Sequence, residues 1–233
     1  MTCNFFSLPG SDHLHMNSEN EDRLAVAVHD GVTAAVLCDG AGSARYGAAA
    51  AETTAQTLSG LLAREFSKLF EADGAGLRLR IIDTLEQALL RQSQHLGAPA
   101  EEFACTILAA AMDGQGRCIC LHLGDGILLQ QFPGQLRPTV VSPPMTGLAP
   151  HTTYLTMNCD LSRYLRFYRW QDRNLSSLLL LTDGASEHLS RLQGSLGWSY
   201  TGPVPLDLPA MRTHLIRQHP RDDHSALLLT RQI

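Results

Sequence analysis

Two kinds of apolar block alternate along this chain. Leu24–His29 and Thr33–Cys38 are short runs of Val, Ala and Leu separated by Asp30-Gly31. That arrangement predicts two strands joined by a two-residue hairpin turn. From about Tyr46 to Phe70 the apolar positions recur at helical spacing in an Ala- and Leu-rich stretch, which predicts a long helix. Asp73-Gly74-Ala75-Gly76 interrupts it, and a second helix is expected from about Leu77 to His95.

The centre returns to strand-like runs at Phe103–Met112, Arg117–Leu123, Ile127–Phe132 and Leu136–Val141, with turn residues between them. Pro143–Pro150 reads as a loop, followed by weaker strands near Thr152–Thr156 and Tyr164–Trp170. Ser177–Thr182 reads as a buried strand, Ala185–Leu189 and Pro209–Gln218 as helices, and Ser225–Thr230 as a last strand. Two groups of strands with helices inserted between them predict an α+β domain: two packed antiparallel sheets flanked by helical layers. At 233 residues, with no repeat, low-complexity tract or charged linker, the chain is expected to form a single domain over 1–233.

Composition narrows the chemistry. A formal net charge of -5 without a dense Lys/Arg block argues against nucleic acid as the main ligand. No run is long enough to span a membrane, and the start MTCNFFSLPG lacks the basic and apolar regions of a signal peptide, so a cytoplasmic location is expected. The six cysteines form no C-x-x-C pair and mostly lie in apolar runs, which suits buried reduced thiols. There is neither a P-loop nor a G-x-S-x-G elbow around Ser43. The histidines are scattered without metal-binding spacing, and His13 and His15 read as surface loop residues more readily than as site residues.

The aspartates stand out instead. Six Asp-Gly pairs occur, and at Asp30, Asp73 and Asp113 a turn between elements explains the pair. Asp39 (AAVLCDG) and Asp183 (LLLLTDG) differ, because each ends an apolar strand and leads toward a helix. A carboxylate at the end of a core strand is expensive unless something pairs with it, and a bound cation is the usual partner. Asp125, in LHLGDGILL, is explained nearly as well by a hairpin turn. Two acidic pairs, Glu21-Asp22 and Asp222-Asp223, flank predicted core strands, so one sheet end could gather Asp22, Asp39, Asp183 and Asp222. Oxygen-only ligands suit hard cations such as Mg²⁺ or Mn²⁺, and a pair of them can activate water against a phosphoryl group.

In order, N-E-D, V-x-x-D-G-A-G-S before a long helix, C-T-I-L, G-D-G, L-L-T-D-G and R-D-D-x-S resemble the type 2C (PPM) serine/threonine protein phosphatases, compact bacterial members most of all. The motifs span residues 20 to 225. The resemblance implies a β-sandwich between helices and hydrolysis of phosphoserine or phosphothreonine by a metal-activated water at a dinuclear Mn²⁺/Mg²⁺ centre. By position, Asp39 would bridge both ions, with the Gly40 carbonyl as a further ligand. Asp183 and Asp222 would hold one ion, Glu21 or Asp22 the other, and Asp125 matches the aspartate of a third. Thr106 falls in the motif strand beside the site, where a structural and a functional role are equally open.

Two positions depart from the pattern. Asn17 stands where many members carry a phosphate-docking arginine, and Ala41 where eukaryotic members carry a histidine. Arg45, then Arg23, are the candidates to replace that arginine. The expected partners are a phosphoprotein substrate and a Ser/Thr kinase that opposes the reaction. The alternatives left open are a pseudophosphatase acting as an adaptor and a hydrolase of small phosphate esters.

Overall fold

The computed structural model describes residues 1–145, 153–194 and 197–231. The chain opens with strand β1 (Thr2–Leu8) and the short helix α1 (Ser11–Met16), neither of which the sequence pattern predicts. The expected hairpin follows as β2 (Arg23–His29) and β3 (Val32–Cys38). Asp30 and Gly31 both take positive φ, 46° and 77°, as a hairpin turn matching the strand twist requires.

The single helix expected over 46–70 is two, α2 (Gly47–Arg64) and α3 (Phe66–Glu71), and the bend at Glu65 turns Phe66 and Leu69 into the core. Helix α4 (Gly74–Leu96) starts at Asp73, whose side chain accepts from Gly76 N–H, so this Asp-Gly caps a helix. Strands β4 (Ile107–Met112), β5 (Arg117–Leu123), β6 (Ile127–Gln131) and β7 (Thr139–Ser142) come next. β7 begins later than Leu136 because Pro138 has no N–H to give a ladder. Of the loop expected over Pro143–Pro150, residues 146–150 lie outside the described residues, as does Thr152. Thr153–Leu155 forms no strand, and Thr156–Asn158 is a short 3₁₀ turn. Tyr164 ends helix α5 (Leu161–Tyr164), and strand β8 (Arg166–Gln171) starts after it.

Strand β9 (Ser177–Leu181) leads into α6 (Asp183–Leu189), then the small hairpin β10 (Ser190–Leu192) and β11 (Trp198–Tyr200), α7 (Leu208–Gln218) and β12 (His224–Thr230). Two five-stranded antiparallel sheets result, ordered β1-β12-β9-β6-β7 and β2-β3-β4-β5-β8.

The central strands bury both faces, which explains their unbroken apolar runs. On β3, Ala35 and Leu37 point between the sheets toward Leu178, Leu180, Leu227 and Leu229. Ala34, Val36 and Cys38 point the other way, into the core shared with α2 and α4. The outer face of the other sheet is covered by α6 and α7 through Leu189, Met211 and Leu215. The layers are therefore helix, sheet, sheet, helix. All six cysteines are free thiols, four of them buried. Among the described residues no helix is long and apolar enough to cross a membrane.

Candidate metal centre

Strand directions gather the acidic residues before any side-chain contact is considered. In one sheet the end of β3 pairs with the start of β2 (Arg23 opposite Cys38), and the start of β4 with the end of β5 (Ile107 opposite Leu123). In the other, the end of β9 meets the starts of both β12 and β6 (Leu181 opposite Ala226 and Ile127). Glu21-Asp22, Asp39, Asp125, Asp183 and Asp222 thus all sit at one end of the sandwich. Gly124-Asp125-Gly126 is not the hairpin turn that would have explained Asp125: β5 and β6 belong to different sheets, and the turn carries the chain across from one to the other.

Carboxylate oxygens of Asp39, Asp125 and Asp183 lie within 4.8 Å of one another. A pocket of about 500 Å³ opens over Asp39 and Asp125, bordered also by Glu21, Gly40, Thr106 and Asp222 among others. Neither Lys nor Arg lines it among the described residues. Burial, followed by repulsion from Asp22 and Asp183, drives the Asp39 carboxyl well above its ordinary range. Burial and the Asp125 and Asp222 charges push Asp183 up to about 8. Asp125 and Glu21 are raised as well, each chiefly by burial. Carboxylates crowded without a counter-charge are a poor solution for stability alone, and their oxygen-only donor set fits hard divalent cations.

The backbone around the cluster is fixed by specific bonds. Thr106 Oγ1 accepts from Asp39 N–H at 2.9 Å, and Thr106 N–H donates to Asp39 O at 2.9 Å. Thr106 therefore anchors Asp39 while also lining the pocket. Gly40 and Gly184 are needed for close approach: a Cβ at Gly40 would come within 2.6 Å of the Gly47 backbone at the start of α2, and one at Gly184 within 2.3 Å of Asp223 O.

Asp22 lies behind the pocket, not on it. It is 4% exposed, and its Oδ2 accepts from Thr182 Oγ1 at 3.1 Å. Thr182 Oγ1 accepts in turn from Ser225 N–H at 2.9 Å, which ties Asp22 to the opposite sheet. Asp22 Oδ1 has no hydrogen-bond partner among the described residues, and burial, followed by the Asp223 charge, raises this carboxyl to about 7.

Neither candidate arginine reaches the pocket. Arg23 donates to the Asn20 and Asp22 carbonyls and to Glu19 at 3.2 Å, on the outer side of β2. Arg45 is exposed and lies 5.4 Å from the ring centroid of its neighbour Tyr46. Asn17 is exposed at the end of α1 with φ 53°. The basic residue that does border the pocket is His13, against the surface-loop expectation. Its Nδ1 is 2.8 Å from Oδ1 of Asp223, which is 2% exposed and also accepts from Gly10 N–H and Glu21 N–H at 2.8 and 2.6 Å. The sequence gives no sign of this pairing, because 210 residues separate the partners and an acidic pair before a strand reads as solvated.

The model of the protein phosphatase 2C family matches residues 9–224. No curated protein matches the chain significantly. Among solved structures, a bacterial serine phosphatase is similar over 100% of this chain and 98% of its own, at TM-score 0.69 and 16% identity. A serine/threonine phosphatase from Staphylococcus aureus matches over 100% and 96%, at 0.70 and 14%. PppA, a key regulatory component of T6SS in Pseudomonas aeruginosa, matches over 97% and 96%, at 0.65 and 18%. These likenesses carry the fold, and the family match carries the assignment: the chain belongs to the protein phosphatase 2C family of metal-dependent serine/threonine phosphatases.

Proposed function

We propose that residues 1–233 form one phosphatase domain that removes phosphate from phosphoserine and phosphothreonine of proteins, using two Mn²⁺ or Mg²⁺ ions. Asp39 would serve both ions, with the Gly40 carbonyl beside it. Asp183 and Asp222 would complete one site from the second sheet, and Glu21 the other from the first. Asp125 comes within the same 4.8 Å group as Asp39 and Asp183, so a third ion held by Asp125 would also draw on Asp183. Asp22 is better placed to support than to ligate, since it is buried behind the pocket and does not line it.

The observation that carries this reading is the convergence of carboxylates from both sheets at a pocket lined, among the described residues, by neither Lys nor Arg. When bound, divalent cations supply charge neutralisation for phosphoryl oxygens and acidify a water to attack phosphorus. The chain's own residues hold that geometry: Thr106 fixes the Asp39 backbone, and Gly40 and Gly184 let α2 and α6 start against the site. The family implies phosphoprotein substrates. A Ser/Thr kinase acting on the same protein and a cytoplasmic setting complete the proposal.

Purified protein assayed on a phosphothreonine peptide against rising Mn²⁺ should gain activity and lose it in chelator. Full activity in excess chelator would overturn the reading. Equal turnover of nucleotides and phosphopeptides would favour the small-ester hydrolase, and no turnover at saturating Mn²⁺ the adaptor.

A further inference from the structure

Among the described residues the pocket is lined by neither Lys nor Arg. Five carboxylates (Glu21, Asp39, Asp125, Asp183 and Asp222) face four positive charges of two divalent cations, which leaves the site negative toward an arriving phosphoryl dianion. Something cationic has to meet the substrate: Arg23 is bonded elsewhere, Arg45 is exposed and does not line the pocket, and Arg221 lines only the adjoining space, where it pairs with Asp12 at 3.3 Å.

We infer that His13 is the residue of this chain that docks the substrate phosphate, with Asp223 as its positioning partner. This rests on the phosphatase reading of the pocket and deepens it. Asp223 is buried and accepts through both oxygens, from Gly10 N–H and His13 on one and Glu21 N–H on the other. A carboxylate in that position can only accept, so the proton between the two side chains sits on His13 Nδ1. Nε2 is then the ring's remaining nitrogen, and it makes no hydrogen bond among the described residues. The ring is part-exposed at 18% and borders two spaces at once: the carboxylate pocket and an adjoining one of about 720 Å³. Among the described residues only His13 and Asp222 line both, so His13 stands where a protein chain in the larger space would turn its phosphorylated side chain into the smaller. The bond to Asp223 raises the His13 pKa above its ordinary value and favours the imidazolium.

Inorganic phosphate is the direct probe. Calorimetric titration of the Mn²⁺-loaded protein should show phosphate affinity falling about tenfold or more in His13→Ala, the loss expected for one charge-assisted hydrogen bond. His13→Arg should recover most of it, because a guanidinium can still pair with Asp223 and offer a donor. Mn²⁺ affinity should stay unchanged in both variants, and Arg23→Ala and Arg45→Ala should bind phosphate like wild type. With a phosphothreonine peptide, KM should rise in parallel while kcat changes less.

Unchanged phosphate affinity in His13→Ala overturns the inference. So does a loss that His13→Arg fails to restore, which marks a structural role. A third overturning result is a turnover loss that grows with leaving-group basicity, from 4-nitrophenyl to phenyl phosphate, at constant phosphate affinity; that pattern marks a proton donor. A wild-type protein that binds phosphate through His13 but hydrolyses nothing with Mn²⁺ would instead sink the phosphatase reading and leave the docking site standing.

Discussion

Replacing Asp183 with Asn should make the metal-free protein more stable at neutral pH, although it removes a residue proposed to be essential. Burial and the neighbouring Asp125 and Asp222 charges lift this carboxyl from 3.8 to about 8. A carboxyl whose folded pKa exceeds its unfolded one holds its proton more tightly in the folded state. Below pH 3.8 both states are protonated and nothing is lost; from there toward pH 8 the folded state is progressively penalised. At pH 7 the penalty has a ceiling of about 4 kcal/mol, taking ~1.4 kcal/mol per pH unit above the unfolded value. The carboxylates titrate as a coupled set, so relief of one charge is partly shared, and a gain on the order of 2 kcal/mol is expected. For a chain of this length that is a rise in melting temperature of roughly 4–8 °C.

Cation binding should reverse the order. A cation at a hundredfold excess over its Kd would stabilise the wild type by about 2.7 kcal/mol, and the variant, short of one proposed ligand, by less. Thermal unfolding followed by circular dichroism, in chelator at pH 4 and pH 7 and with Mn²⁺ at pH 7, measures each term. A variant that melts at or below wild type in chelator at pH 7 refutes the repulsion argument. A gain as large at pH 4 as at pH 7 assigns the effect to packing.

Asp39→Asn should stay folded and lose activity by roughly 100-fold or more, with weakened Mn²⁺ binding by calorimetry, because this residue is proposed to serve both ions. Asp125→Asn should slow turnover while tight Mn²⁺ binding persists, which the same titration with steady-state kinetics checks. Thr106→Val leaves the Asp39 N–H without its acceptor and should destabilise by about 1–3 kcal/mol in denaturant unfolding, with activity falling further than stability explains. Gly184→Ala drives a Cβ to within 2.3 Å of Asp223 O, so it should both lower the melting temperature and weaken phosphate binding through the Asp223–His13 pair.

What the sequence made legible follows the strength of local signals. The hairpin at Asp30-Gly31 and the strands β3, β4, β5 and β9 were readable because both faces are buried and turn residues bound them. β1 escaped because TCNFFSL is an edge strand with one buried residue, Phe6, while Phe5 is 53% exposed. α1 escaped because six residues with none buried carry no helical period. Asp39 and Asp183 announced themselves by ending apolar runs. Asp125 did not, since a Gly-Asp-Gly turn serves a hairpin and a crossover between sheets alike, and only strand pairing tells them apart.

That crossover also bears on how the molecule works. Glu21 and Asp39 belong to one sheet, Asp183 and Asp222 to the other, and Asp125 to the link between them. Asp22, bonded to Thr182, and Asp223, bonded to Glu21 N–H, tie the two sheets together beneath the same cluster. Repulsion among these carboxylates acts across the sandwich, pressing the sheet ends apart, while the apolar layer between the sheets, from Leu37 to Leu180 and Leu227, holds them. Cations seated in the cluster would pull on both sheets at once. The proposed metal centre is thus also a staple at the one end of the sandwich where packing and charge oppose each other, which is why the same aspartate can cost stability without metal and be required for turnover with it.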